Sequence, residues 1–191
     1  MTFSRPDNLL LAIDPASHVT GYAVLGGLES RDLVDAGLLR ASEAIHQGTD
    51  AWLCQPELKA CRRILSLASE LQTLLAEYAG RIFAAAIEIP SGKAGTAAKH
   101  GARGSLTTYG LAAGYLWAEL AKAAGLKPQA RLPVYPITER QWTVDAPAKH
   151  LRRAAMRLVY GGRFNAAADD GVDATDAVMI GRWAWPRITE S

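Results

Sequence analysis

Apolar residues run from Leu9 to Ile13 and stop at Asp14; beyond Pro15 and Ser17 a second run covers Gly21 to Leu25. Two short runs joined by turn-forming residues predict a β-hairpin. A third strand is expected over Leu33 to Leu39. From Pro56 to Ala79 the period changes, with Leu58, Cys61, Leu65, Ala68, Leu71, Leu75 and Tyr78 recurring at helical spacing. That pattern predicts an amphipathic helix, opened by Pro56 in the first turn, where a missing N–H breaks no bond. Ile82 to Ile87 is apolar on both faces and ends in Glu88, followed by Pro90, Ser91 and Gly92. It reads as a central strand covered by helices on each side. After a Gly/Lys-rich loop, helices are expected over Leu106 to Ala124, Ala148 to Tyr160 and Asp173 to Trp185, with a short strand at Val134-Tyr135. A hairpin followed by alternating helices and strands implies an α/β fold built on a mixed, layered sheet.

The 191 residues fit one domain spanning 1–191, with no repeat or low-complexity linker, and a chain of this length can bury roughly 70% of its unfolded surface. Hydrophobic residues make up 49% and charged residues 21%, ordinary for a soluble globular protein. The apolar runs fall far short of the ~20 residues that span a bilayer, and the first residues do not form a secretory signal, so a cytoplasmic protein without a membrane partner is expected. Cys54 and Cys61 lack a metal or redox spacing and read as reduced core thiols. A net charge of +2 does not announce a nucleic-acid binder, so that question rests on where the charges sit.

Asp14 and Glu88 each close an apolar strand. In an α/β sheet such positions border the crevice where ligands bind. Asp173 and Asp176 are three apart at a helix start, so they share a face at the end whose dipole favours negative charge. Taken singly, Asp14 reads as a turn residue, and Asp173 as a helix N-cap with Asp176 complementing the dipole. Glu88 resists such a reading, since a carboxylate ending an apolar strand is desolvated without a partner. Gathered together, the four acids would repel one another unless cations neutralised them, and hard oxygen donors select Mg²⁺ or Mn²⁺. Two such ions ~4 Å apart activate a water and stabilise the leaving oxygen of a phosphodiester, which makes nuclease chemistry their natural use.

These residues resemble a known family. Ala12-Ile-Asp14-Pro15 with Thr20-Gly21-Tyr22-Ala-Val is similar to the opening motif of the RuvC Holliday-junction resolvases, Ile87-Glu88 to their second acidic motif, and Asp173-Ala-Thr-Asp176-Ala177 to their closing helix start. The resemblance implies an RNase H-like fold with a five-stranded mixed sheet flanked by helices. It implies a homodimer that cuts four-way junctions or other branched DNA, with Asp14, Glu88, Asp173 and Asp176 holding two Mg²⁺ or Mn²⁺ ions per active site. Pro136 to Lys149 is similar to the family's basic stretch, which makes Lys149 the candidate lysine beside the scissile phosphate. Ser91 stands where an aromatic is common, Ala16 where a glycine is usual, and Trp142 in a lysine-bearing region. Those departures bear on junction recognition rather than on the acids, and the pattern looks closer to phage or prophage relatives.

Lys93, Lys99 and Arg103 form a basic segment directly after Glu88, and Lys149, Arg152 and Arg153 lie in a second one. Both are candidate phosphate-contacting surfaces, although such clusters are commonly solvated faces. The tryptophans at 142, 183 and 185 are expected to pack in the core or an interface. Three other functions compete: a less selective nuclease acting on flap, single-stranded or RNA-containing substrates, a catalytically silent DNA-binding scaffold, and a phosphotransferase. The retained acids argue against the scaffold. The last needs two domains, more than this length holds.

Overall fold

In the computed structural model, residues 8–27, 32–42, 56–90, 103–123, 132–161, 164 and 172–190 are described. Strands β1 (Leu9–Asp14), β2 (Val19–Gly26), β3 (Asp32–Arg40), β4 (Ile82–Ile89) and β5 (Val134–Thr138) form one sheet in the order β3-β2-β1-β4-β5. Helices are α1 (Pro56–Glu77), α2 (Arg103–Ala123), α3 (Glu139–Trp142), α4 (Lys149–Tyr160) and α5 (Asp173–Thr189). β1 pairs antiparallel with β2 and parallel with β4; β2 and β3 are antiparallel and β4 and β5 parallel, which makes the sheet mixed.

β1 is central and apolar because both of its faces are covered. Leu9, Leu11 and Ile13 join Val24, Ala85 and Ile87 against Leu67, Leu71 and Leu74 of α1 and Leu116 and Leu120 of α2. Leu10 and Ala12 join Ala23, Leu25, Ala84 and Ala86 against Ala177, Val178, Ile180 and Ala184 of α5, with Met156 and Tyr160 of α4 beside them. Strand side chains alternate between faces with period two. Asp14 therefore follows Leu10 and Ala12, and Glu88 follows Ala84 and Ala86, onto the α5 face.

Most expected elements appear within a few residues of their predicted bounds. β5 extends to Thr138, and α3, a single turn, was not anticipated. α5 runs past Trp185 to Thr189 with Pro186 inside it. The missing N–H removes one bond near the helix end, while Trp185, edge-on to Phe83 at 5.6 Å, and Ile188 still pack on the core. Cys61 is exposed on α1 rather than in the core, and Cys54 lies outside the described residues.

Candidate active site

The turn after β1 sets the first acid. Thr20, fully buried, donates its hydroxyl to the Ala16 carbonyl at 3.1 Å and accepts the Ala16 N–H at 3.3 Å, which closes the hairpin and holds Asp14 at the strand end. The β1–β4 register pairs Ala12 with Ala86 and Ile13 with Ile87, so the next positions, Asp14 and Glu88, are neighbours on adjacent parallel strands.

The second pair of acids arrives on α5, and a glycine lets it come close. Gly21 stands opposite Asp14 in the β1–β2 ladder, and a Cβ there would lie 2.0 Å from the Asp173 carbonyl oxygen. With no side chain in the way, the α5 backbone rests directly on β2. Farther along, a Cβ on Gly181 would meet Leu25 Cδ1 at 2.2 Å, so the helix lies tight on the sheet along its length. The N-cap is Val172, held at φ 70°, and its carbonyl accepts the Asp176 N–H at 2.8 Å. Asp173 is thus the first helical residue and not the cap. A β-branched residue in the left-handed region is strained, and here the strain borders two of the acids.

The electrostatics follow from this gathering. Burial pushes the Asp14 carboxyl well above the ordinary range, Glu88, Asp176 and Asp173 push it further by repulsion, and Lys149 opposes them. Burial also raises Glu88, against hydrogen bonds from Tyr109 and Trp142 that favour its charge. The Tyr109 hydroxyl donates to Glu88 Oε1 at 2.8 Å and the Trp142 indole N–H to Oε2 at 2.6 Å. Desolvation, then repulsion from Glu88, drives the Tyr109 phenol far above its usual value, so it stays a protonated donor. Burial raises Asp176 as well, with Arg152 and Lys149 holding it back. Arg152 Nη1 donates to both Asp176 oxygens, at 3.0 and 2.9 Å, and Lys149 Nζ lies 3.9 Å from Asp176 Oδ2.

The structure thus brings Asp14, Glu88, Asp173, Asp176 and Lys149 to one place. Arg152 does not belong to the DNA-binding face proposed from the sequence. It is only 9% exposed and its charge is spent inside on Asp176, because Arg152, Met156 and Tyr160 form the buried stripe of α4. Arg153 is half-buried on the same helix. Lys93, Lys99 and the Arg103 side chain lie outside the described residues, although the Arg103 backbone opens α2. Tyr109 and the Trp142–Glu88 contact went unanticipated; Trp142, expected as a packing residue, is buried and also serves an acid.

Asp14 is half-buried among repelling carboxylates, and the donors are all hard oxygens, so the set fits a divalent cation. In this arrangement, among the described residues, no three acid, histidine or cysteine side chains close on one point as an ion's ligands would. Glu88 is held by Tyr109 and Trp142, and Asp176 by Arg152.

A five-stranded mixed sheet with three antiparallel strands, two parallel ones and flanking helices, and with acids on β1, β4 and the last helix, defines an RNase H-like fold of the RuvC kind. The chain is similar to Thermus thermophilus RuvC in complex with a Holliday junction substrate, with a TM-score of 0.63 at 18% identity over 94% of this chain and 95% of that one. A second Thermus thermophilus RuvC structure superposes with a TM-score of 0.61 at 17% identity over 95% and 96% of the two chains. No protein-family model matches the sequence, and no curated protein does.

Proposed function

We propose that the chain is a divalent-metal-dependent endonuclease acting on branched DNA, with the four-way junction as its preferred substrate. The observation that carries the reading is the gathering of Glu88, Asp173 and Asp176 around half-buried Asp14, with Lys149 at their edge. Asp14, Glu88, Asp173 and Asp176 would hold Mg²⁺ or Mn²⁺, two ions being the number the tetrad suggests. When bound, such ions supply a nucleophilic hydroxide and stabilise charge on the phosphate.

The protein's own groups do the rest. Tyr109 and Trp142 hold both oxygens of Glu88, which fixes the orientation of that carboxylate on β4. The Lys149 side chain is 63% exposed at the mouth of the site, free to meet a phosphate oxygen. Lys93, Lys99, Arg103 and Arg153 would continue the phosphate path on either side. A four-way junction presents two strands for cutting, so two copies of the chain would act together as a homodimer. The similarity to a RuvC bound to a Holliday junction supports branched DNA as the substrate. The sequence pattern supports a phage or prophage member acting in the cytoplasm.

The test is cleavage of a synthetic four-way junction against linear duplex, single-strand and flap controls, with Mg²⁺, Mn²⁺ or EDTA. Paired, metal-dependent nicks confined to the junction are expected. Equal cutting of the controls would identify a general nuclease instead, and tight junction binding without cutting in any metal would identify a scaffold.

A further inference from the structure

We propose that Arg152 is a resident cation of the acid site, competing with a divalent ion for Asp176; the inference rests on the nuclease reading above. Arg152 occupies a position that the helix pattern reserves for an apolar side chain, since Met156 and Tyr160, four and eight residues on, complete the buried face of α4. The other basic side chains of that helix are more exposed: Lys149, His150 and Arg157 face solvent and Arg153 is half-buried.

Arg152 is held from three directions. Its Nε donates to the Pro147 carbonyl at 3.1 Å, its guanidinium lies 4.8 Å from the centre of the Trp142 ring, and Nη1 bridges the two Asp176 oxygens. Trp142 in turn donates to Glu88. One continuous chain of contacts, Glu88 to Trp142 to Arg152 to Asp176, therefore joins an acid on β4 to an acid on α5. The bridging contact occupies the carboxylate edge at which a hard ion binds both oxygens. It also places a positive charge where an incoming cation would have to sit close by. Among the described residues, no guanidinium bridges the oxygens of Asp14 in this way. An ion that needs Asp176 should consequently bind more weakly than one that needs Asp14.

Arg152 acts through Asp176 and is a positioning residue, so its test reads metal rather than turnover. Mn²⁺ binding to the full chain, followed by electron paramagnetic resonance, should show a tight and a weak class of site. R152M should tighten the weak class at least tenfold, R152K should stay close to wild type, and D176N should abolish the weak class and cancel the effect of R152M in the double variant. Superimposable isotherms for wild type and R152M, or tightening that persists in the D176N background, would overturn the proposal while leaving the metal site standing. Failure of either protein to bind Mn²⁺ would overturn the metal site itself. Should R152M not fold, arginine side-chain NMR of the wild type answers the same question. The Arg152 guanidinium protons should be protected without metal and lose protection as Mg²⁺ saturates the weak class; protection unchanged through saturation would overturn the proposal.

Discussion

Replacing Gly21 with alanine adds one methyl group that need touch neither DNA nor a metal ion, yet the structure predicts that it disables the site. The new Cβ would lie 2.0 Å from the Asp173 oxygen, 2.2 Å from its carbonyl carbon and 2.8 Å from the Ala174 nitrogen. Non-bonded carbon and oxygen settle at about 3.3–3.6 Å even in close backbone contacts, so relief requires a shift of more than about 1 Å. All three atoms are backbone, and no rotamer change can absorb the clash; either α5 lifts from β2 or the hairpin deforms. Overpacking of this kind costs about 1–3 kcal/mol, and for a protein of this size each kcal/mol lowers Tm by about 2–4 °C. The lift carries Asp173 and Asp176 away from Asp14, and a misplacement of about 1 Å at reacting groups costs on the order of 10²-fold in rate. The assay pairs thermal melting with single-turnover cleavage of a four-way junction. Gly26→Ala, at the other end of β2, is the control, because its Cβ meets the far end of a side chain, Leu9 Cδ2, at 2.9 Å. Wild-type Tm and rate in Gly21→Ala would refute the account of how α5 delivers its acids.

Asp14→Asn should abolish cleavage and raise the metal-free Tm. The native Asp14 pKa is raised, so wild-type stability is intact below the ordinary carboxylate pKa near 4 and is lost as pH rises through the native value. The Tm advantage of the variant should grow from pH 4 toward neutrality, and a gap that does not grow with pH would refute the buried repulsion. Trp142→Phe keeps an aromatic side chain but removes the donor to Glu88, and the lost hydrogen bond alone should destabilise by about 1.5–3 kcal/mol, the range for hydrogen bonds to charged groups. Chemical denaturation in a double-mutant cycle with Glu88→Ala checks this, and the absence of coupling would refute it. Lys149→Ala should leave Tm within about 1 kcal/mol of equivalent stability, since the lysine itself is 63% exposed and its amine lies only at the 3.9 Å edge of contact with buried Asp176, whose main partner is Arg152. Its cleavage rate should fall on the order of 10²-fold, the scale for losing a group that stabilises transition-state charge; an unchanged single-turnover rate would remove Lys149 from the site.

The strands and their acids were legible because they depend on local pattern. An apolar run covered on both faces reads as a central strand, and period-two alternation then decides which face its terminal acid takes, so Leu10, Ala12 and Asp14 form one argument. Asp173 and Asp176 were legible as a same-face pair because helical spacing is local too. What the pattern could not show is who neutralises and orients these acids. Arg152 carried a readable signal, its spacing from Met156 and Tyr160, yet its position amid other basic residues suggested a DNA face. Only the packing of α4 against α5 turned its charge inward onto Asp176. Tyr109 and Trp142 reach Glu88 from residues 21 and 54 positions away, on elements whose placement depends on the sheet order. The sequence by itself thus determined the elements and the acids, since propensity and periodicity act over a few residues. The tertiary structure decided their partners, because burial makes an unpartnered charge costly and the group that satisfies it need only be near in space.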